Sequence, residues 1–154
     1  MDDAKPEAPP RPGAPVDRGF GYFEHTADVG IRAWGPTLEE AFAQAALGLV
    51  ANVVDVSQAK AVGAARIEVE GESRERLLFR LLDEMLDMLQ TRLYVATAVR
   101  VRFEGKDRLV AEVEGEAYDA ARHGHVHEVK AITFHDMEIR DEPGRAEVRV
   151  IVDI

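Results

Sequence analysis

The chain has 154 residues, 46% apolar and 31% charged, with 19 basic residues against 29 acidic ones for a net charge of −10. That length and balance predict one soluble globular domain with an ordinary core. Having no cysteine, it excludes a disulfide framework, a thiolate metal site and a cysteine nucleophile. The acidic surface repels phosphate backbones and no Lys/Arg cluster offsets it, so tight direct nucleic-acid binding is not expected; a cation or a basic protein partner suits it better. No apolar run approaches the roughly eighteen residues of a membrane span, and no secretory signal opens the chain. The expectation is a cytoplasmic protein.

Residues 1–18 hold five of the seven prolines and almost nothing to bury, which reads as a disordered tail ahead of a folded domain at 19–154. The segment Tyr22-Phe23-Glu24-His25-Thr26-Ala27-Asp28 then gathers Glu24, His25, Thr26 and Asp28 within five residues. From Asp28 the chain alternates: Val29, Ile31 and Ala33 fall on one face of a strand, and Asp28, Gly30, Arg32 and Trp34 on the other. Asp28 thus begins a strand on its non-aliphatic side. As residues alone, it fits either an Asx-type turn or a hard oxygen ligand for a divalent cation.

Thr37 is placed to cap a helix, with Glu40 completing a capping box. Leu38, Ala41, Phe42, Ala45, Leu49, Val50 and Val53 recur at helical spacing, while Ala43, Ala46 and Gly48 keep the helix slim for close packing on a sheet. Residues 66–70 alternate as a strand. Ser73 caps a second helix reaching about Gln90, with Leu78, Leu81, Leu82, Met85 and Leu89 as its buried stripe. Asp83, Glu84 and Asp87 on that helix read as a solvated face paired with Arg80. Val99, Val101 and Phe103 lead through a short connection at 104–107 into a return strand, whose Glu112, Glu114 and Glu116 form an outward acidic ladder.

In the following segment, His123, His125 and His127 would share one face if the backbone were extended, giving a conceivable zinc or copper site; Gly124 and the lack of a fixed carboxylate weigh against it. The next strand slips phase at His135-Asp136, which implies either a β-bulge re-aiming side chains or a strand buried on both faces. The last strand sets Val148, Val150 and Val152 toward the core and Arg149, Ile151 and Asp153 opposite. These elements predict an α+β fold, two helices on mixed or antiparallel β-sheet in one domain. There is no phosphate-binding loop, nucleophile elbow or HExxH motif.

Three segments in order, FEHTADVGIRAWG, VKAITFHDMEI and a closing VDI, resemble the archease family, and the likeness runs from about Phe20 to Ile154. It implies a protein cofactor and not an enzyme. The expected partner is the GTP- and manganese-dependent tRNA-splicing RNA ligase, whose guanylylation and multiple turnover such proteins promote; RNA is engaged only indirectly. The resemblance assigns metal binding to Asp28, Asp153 and Ile154; His25, His135 and Asp136 are candidate supporting residues. His123 and Lys130 fall where the family tends to carry such residues, whereas His125 and His127 do not. Two carboxylates and a terminal oxygen are hard ligands, suited to calcium, magnesium or manganese. Two other classes remain open: a chaperone-like modulator of an RNA-modifying enzyme such as a tRNA methyltransferase, and a metal-dependent phosphoester hydrolase.

Overall fold

A computed structural model describes residues 18–25 and 28–154, leaving out the side chains of Glu24 and His25. The tail expected at 1–18 lies outside the described residues except for Arg18, which pairs with Glu40 at 2.6 Å. The element order is β1 (Gly19–His25), β2 (Asp28–Gly35), α1 (Leu38–Val53), β3 (Gly63–Glu70), α2 (Arg74–Gln90), β4 (Tyr94–Phe103), β5 (Arg108–Ala117), α3 (Ala120–His123), β6 (Ala131–Ile132), β7 (Glu138–Glu142) and β8 (Arg145–Asp153). Every strand pairing is antiparallel. One sheet runs β1-β2-β8-β6, with β7 also on β8, and the other runs β3-β5-β4.

Both long helices start where the sequence places them. The Thr37 hydroxyl accepts from the Glu40 N–H and the Ser73 hydroxyl from the Arg76 N–H, each satisfying an orphan donor of the first turn. α1 packs against β2 and β8 of one sheet and β4 of the other, and α2 packs on α1 and on strands of both sheets. A helix with sheets on two sides must be apolar nearly all round, and α1 buries Ala43, Ala46 and Gly48 as well as its Leu/Phe stripe. The small residues let β1 approach: the Phe20 ring lies 3.0 Å from where a Gly48 Cβ would stand. The Tyr22 hydroxyl donates to the Gly48 carbonyl at 2.8 Å, and burial pushes its pKa up to about 12. Phe42, fully buried, meets Phe103 edge-on at 5.3 Å.

Three local expectations need correcting. The cationic partner of the acidic face of the second helix is not Arg80 but Arg92, beyond its C-terminus, which reaches Glu84 at 3.5 Å and Asp87 at 3.8 Å. The slip at His135-Asp136 is larger than a one-residue bulge. Ile132 faces Val152 and Glu138 faces Arg149, so five residues loop out against two of β8. Asp136 sits in that turn at φ 53, a left-handed conformation that Asp tolerates better than most residues. In the acidic ladder, Glu112 and Glu114 do alternate outward, but Glu116 is buried beneath residues of α3 and the segment after α1.

Candidate functional site

Asp28 opens β2 and Asp153 closes β8, and the register places them directly opposite one another. The same row continues to His25 on β1 and Ala131 on β6. Because side chains alternate across a strand, Asp28 and Asp153 project from one face, the face turned away from Ile31, Ala33, Val148, Val150 and Val152 in the core. Directly opposed residues of an antiparallel pair hold their Cβ atoms about 5 Å apart, a spacing at which two carboxylates repel unless a cation or other donor lies between them. The Asp153 main-chain carbonyl is already used, accepting the Lys130 N–H at 2.7 Å. Among the described residues, this end of the sheet also carries the two carboxylates and the main-chain oxygen of Ile154. All are hard donors, which fits an oxygen-ligated divalent cation. Asp28, His135 and Asp136 each have a further partner.

The expected supporting pair, His135 and Asp136, occupies the β6–β7 turn and meets across 3.3 Å. That turn is fastened to β8 through Thr133, whose N–H and hydroxyl both donate to the Ile151 carbonyl. No group of three or more His, Cys, Asp or Glu side chains able to hold a metal occurs among the described residues. Among the described residues the carboxylate pair would therefore offer a cation two side chains, and main-chain oxygen, water or a partner would have to complete its shell.

Beyond the Asp row the same face carries features with no strong sequence signal. Gly30 faces Phe23, whose ring lies flat over it: a Cβ at Gly30 would stand 2.1 Å from two ring carbons. The Arg149 guanidinium lies 4.4 Å over the ring centroid, a cation–π contact. One row further, Glu147 accepts a two-pronged contact from Arg32, at 2.7 and 3.1 Å, and a third from Arg145 at 2.6 Å. Burial works to raise the Glu147 pKa, but the two guanidinium groups outweigh it and hold the carboxyl below its ordinary value. Period-2 alternation assigns these residues to one face but does not reveal which charges pair across it.

The three histidines do not converge. A single helical turn, α3, breaks the extended path that would align them. His123 is 0% exposed; its Nδ1 accepts the Asp119 N–H at 2.8 Å, so the Nε2–H donates to Glu116 at 2.9 Å. Glu116 also accepts from Arg122 at 2.8 Å and from the Lys60 N–H at 3.1 Å. The Arg122 hydrogen bond, chiefly, then those from His123 and Lys60, overcome desolvation and lower the Glu116 pKa to about 2. His127 instead contacts Asn52 at the end of α1, 3.1 Å from its side-chain oxygen. His125 lines a cleft with Leu89, Leu93 and Tyr118. The cluster at Glu116 is a structural strut tying the 118–130 segment to β5, and that segment delivers Lys130 to Asp153.

Residues 20–154 match the family model described as the Archease protein family (MTH1598/TM1083). The protein archease of Thermococcus gammatolerans is 42% identical over 141 residues, covering 89% of this chain and 99% of that one. The solution structure of Methanobacterium thermoautotrophicum protein 1598 superposes with a TM-score of 0.78 at 38% identity, covering 88% of this chain and 99% of that one. A crystal structure from Thermotoga maritima, described as an archease and possible chaperone, has a TM-score of 0.57 at 18% identity over 86% of this chain and 94% of that one; it supports the fold alone. With its α+β architecture, its ordered motifs and these relatives in agreement, the chain belongs to the archease family.

Proposed function

We propose that the protein is a non-catalytic accessory protein that activates the tRNA-splicing type of RNA ligase. That ligase joins 2′,3′-cyclic-phosphate or 3′-phosphate ends to 5′-hydroxyls with GTP and manganese; the accessory protein promotes its guanylylation. Family membership supplies the prior, and one observation carries the reading to particular residues: Asp28 and Asp153 oppose each other across β2 and β8 on the outward face. Asp28, Asp153 and the main-chain oxygen of Ile154 would hold a calcium, magnesium or manganese ion there, which would relieve the repulsion between the two carboxylates. The net charge of −10 supports a basic protein surface as the partner, with RNA reached only through it. No helix among the described residues is long and apolar enough to cross a membrane. We place this activity in the cytoplasm, a reducing compartment that the absence of cysteine fits.

The test is the rate of ligase guanylylation with and without the purified protein, beside Asp28→Ala. Acceleration by the wild type and its loss in a folded Asp28→Ala protein are expected. No acceleration by the wild type, together with co-purification of a methyltransferase and no ligase, would favour the chaperone-like reading. Turnover of phosphoesters by the isolated protein would favour the hydrolase.

A further inference from the structure

We infer that the Asp28/Asp153 end of the sheet binds a phosphomonoester group, with Arg149 as its second anchor; this rests on the cation site proposed above. Three observations on the outward face lead there. First, the other arginines of β2, β7 and β8 each have a carboxylate partner: Arg32 and Arg145 share Glu147, and Arg140 meets Glu138 at 3.8 Å. Arg149 has no carboxylate within ion-pairing distance among the described residues, although Glu138 is its register neighbour. Second, its guanidinium leaves its own row to lie over Phe23, which belongs to the row of Gly30 and Ile151, next to the row of Asp28 and Asp153. Rows on one face of a sheet are about 7 Å apart, two residues of strand rise. Third, the ring beneath it is seated on Gly30, where no side chain could stand, so the guanidinium is held by a fixed platform.

A half-buried guanidinium one row from a carboxylate-held cation would set a hydrogen-bonding fork and a metal with open coordination positions on one face of the sheet. A ligand that meets both must offer one oxygen to the cation and a pair to the fork. A carboxylate has two oxygens and cannot do both well. A phosphomonoester has three terminal oxygens, and Arg matches a pair of them bidentately. The source of such a phosphate is either a nucleotide or free phosphate.

The experiment is calorimetry on the full chain saturated with magnesium, titrated with adenosine 5′-monophosphate, inorganic phosphate and adenosine. Each is run for wild type, Arg149→Met and Arg149→Lys, with magnesium affinity and melting temperature measured for every protein. Arg149→Met keeps the stem over Phe23 and removes the charge. It is expected to leave magnesium affinity unchanged and to weaken the monophosphate about tenfold to a hundredfold, the range for a lost charge-assisted pair. Arg149→Lys, which keeps charge without the fork, is expected to fall between. Adenosine is expected not to bind, and the ratio of monophosphate to inorganic phosphate affinity assigns the source. A wild type that binds magnesium but takes up neither phosphate, or takes them up as well after Arg149→Met, overturns this inference and leaves the cation site standing. Absence of magnesium binding in the wild type overturns the cation site, and the bridging inference with it.

Discussion

Replacing Gly30 with alanine tests whether the outward face is a built surface. Glycine costs a strand about 0.5–1 kcal/mol relative to alanine, so on a bare sheet face the substitution stabilises. Here the new methyl would stand 2.1 Å from Cε2 and Cζ of Phe23 and 2.4 Å from Cε1, against at least 3.4 Å for ordinary contact. The ring must retreat by more than an ångström, and Arg149 lies on its other side. Displacing the ring costs about 1–3 kcal/mol as overpacking, with about 0.5–1 kcal/mol more if the cation–π contact is lost. Set against the glycine gain, Gly30→Ala should destabilise by about 1–2 kcal/mol. In a Phe23→Ala background the obstacle is gone, and the same substitution should stabilise by about 0.5–1 kcal/mol. Urea unfolding of the four proteins of this cycle measures the sign change. Equal effects of Gly30→Ala in the two backgrounds would refute the seating of Phe23 on Gly30, and with it the fixed platform under Arg149.

Glu147→Gln keeps the shape of the buried clamp but removes the charge that Arg32 and Arg145 share; a loss of about 2 kcal/mol is expected in urea unfolding, in the range for hydrogen bonds to charged groups. Glu116 gives a pH signature. Its folded pKa, about 2, lies below the ordinary 4.5, so its charge-dependent stabilisation is fully present above 4.5 and is lost as pH falls toward 2. The stability gap between wild type and Glu116→Gln should therefore be constant from pH 7 to pH 5 and shrink below that; a gap that widens on acidification would contradict the strut. His125→Ala combined with His127→Ala should leave divalent-cation content unchanged, since the fold separates these residues from each other and from His123, and loss of stoichiometric metal in that variant would restore the histidine site.

Much of the fold was legible because local rules and tertiary packing agree. Thr37 and Ser73 cap the helices they were expected to cap, and the aliphatic halves of β2 and β8 face the core in the expected phase. Disagreement arises where a side chain's surroundings come from a distant part of the chain. Glu116 keeps the phase of Glu112 and Glu114, yet the Lys60 N–H, Arg122 and His123 close over it from segments on either side. Strand period gives the face; it does not give what later covers that face. The β6–β7 turn is similar. The sequence shows a phase slip, while the size of the excursion is set by β8, whose register forces five residues into the span of two.

For the site, the decisive information was register, a quantity no single strand contains. Asp28 and Asp153 each read as outward from their own alternation, but 125 positions separate them in the sequence, and a slip of one residue between β2 and β8 would turn one of them away. The core fixes that register: Ile31 must face Val150 and Ala33 must face Val148 for both aliphatic sets to meet α1. The same constraint that buries the core brings the two carboxylates into opposition at the sheet end. It also brings Gly30 beside Ile151 and Arg32 beside Arg149 on the outward face. A substitution that perturbs the inner face, such as Ile31→Ala, should accordingly reach cation affinity only through lost stability. Substitutions on the outward face act on Asp28, Asp153 and their neighbours directly, and this separates the residues that set the register from those it brings together.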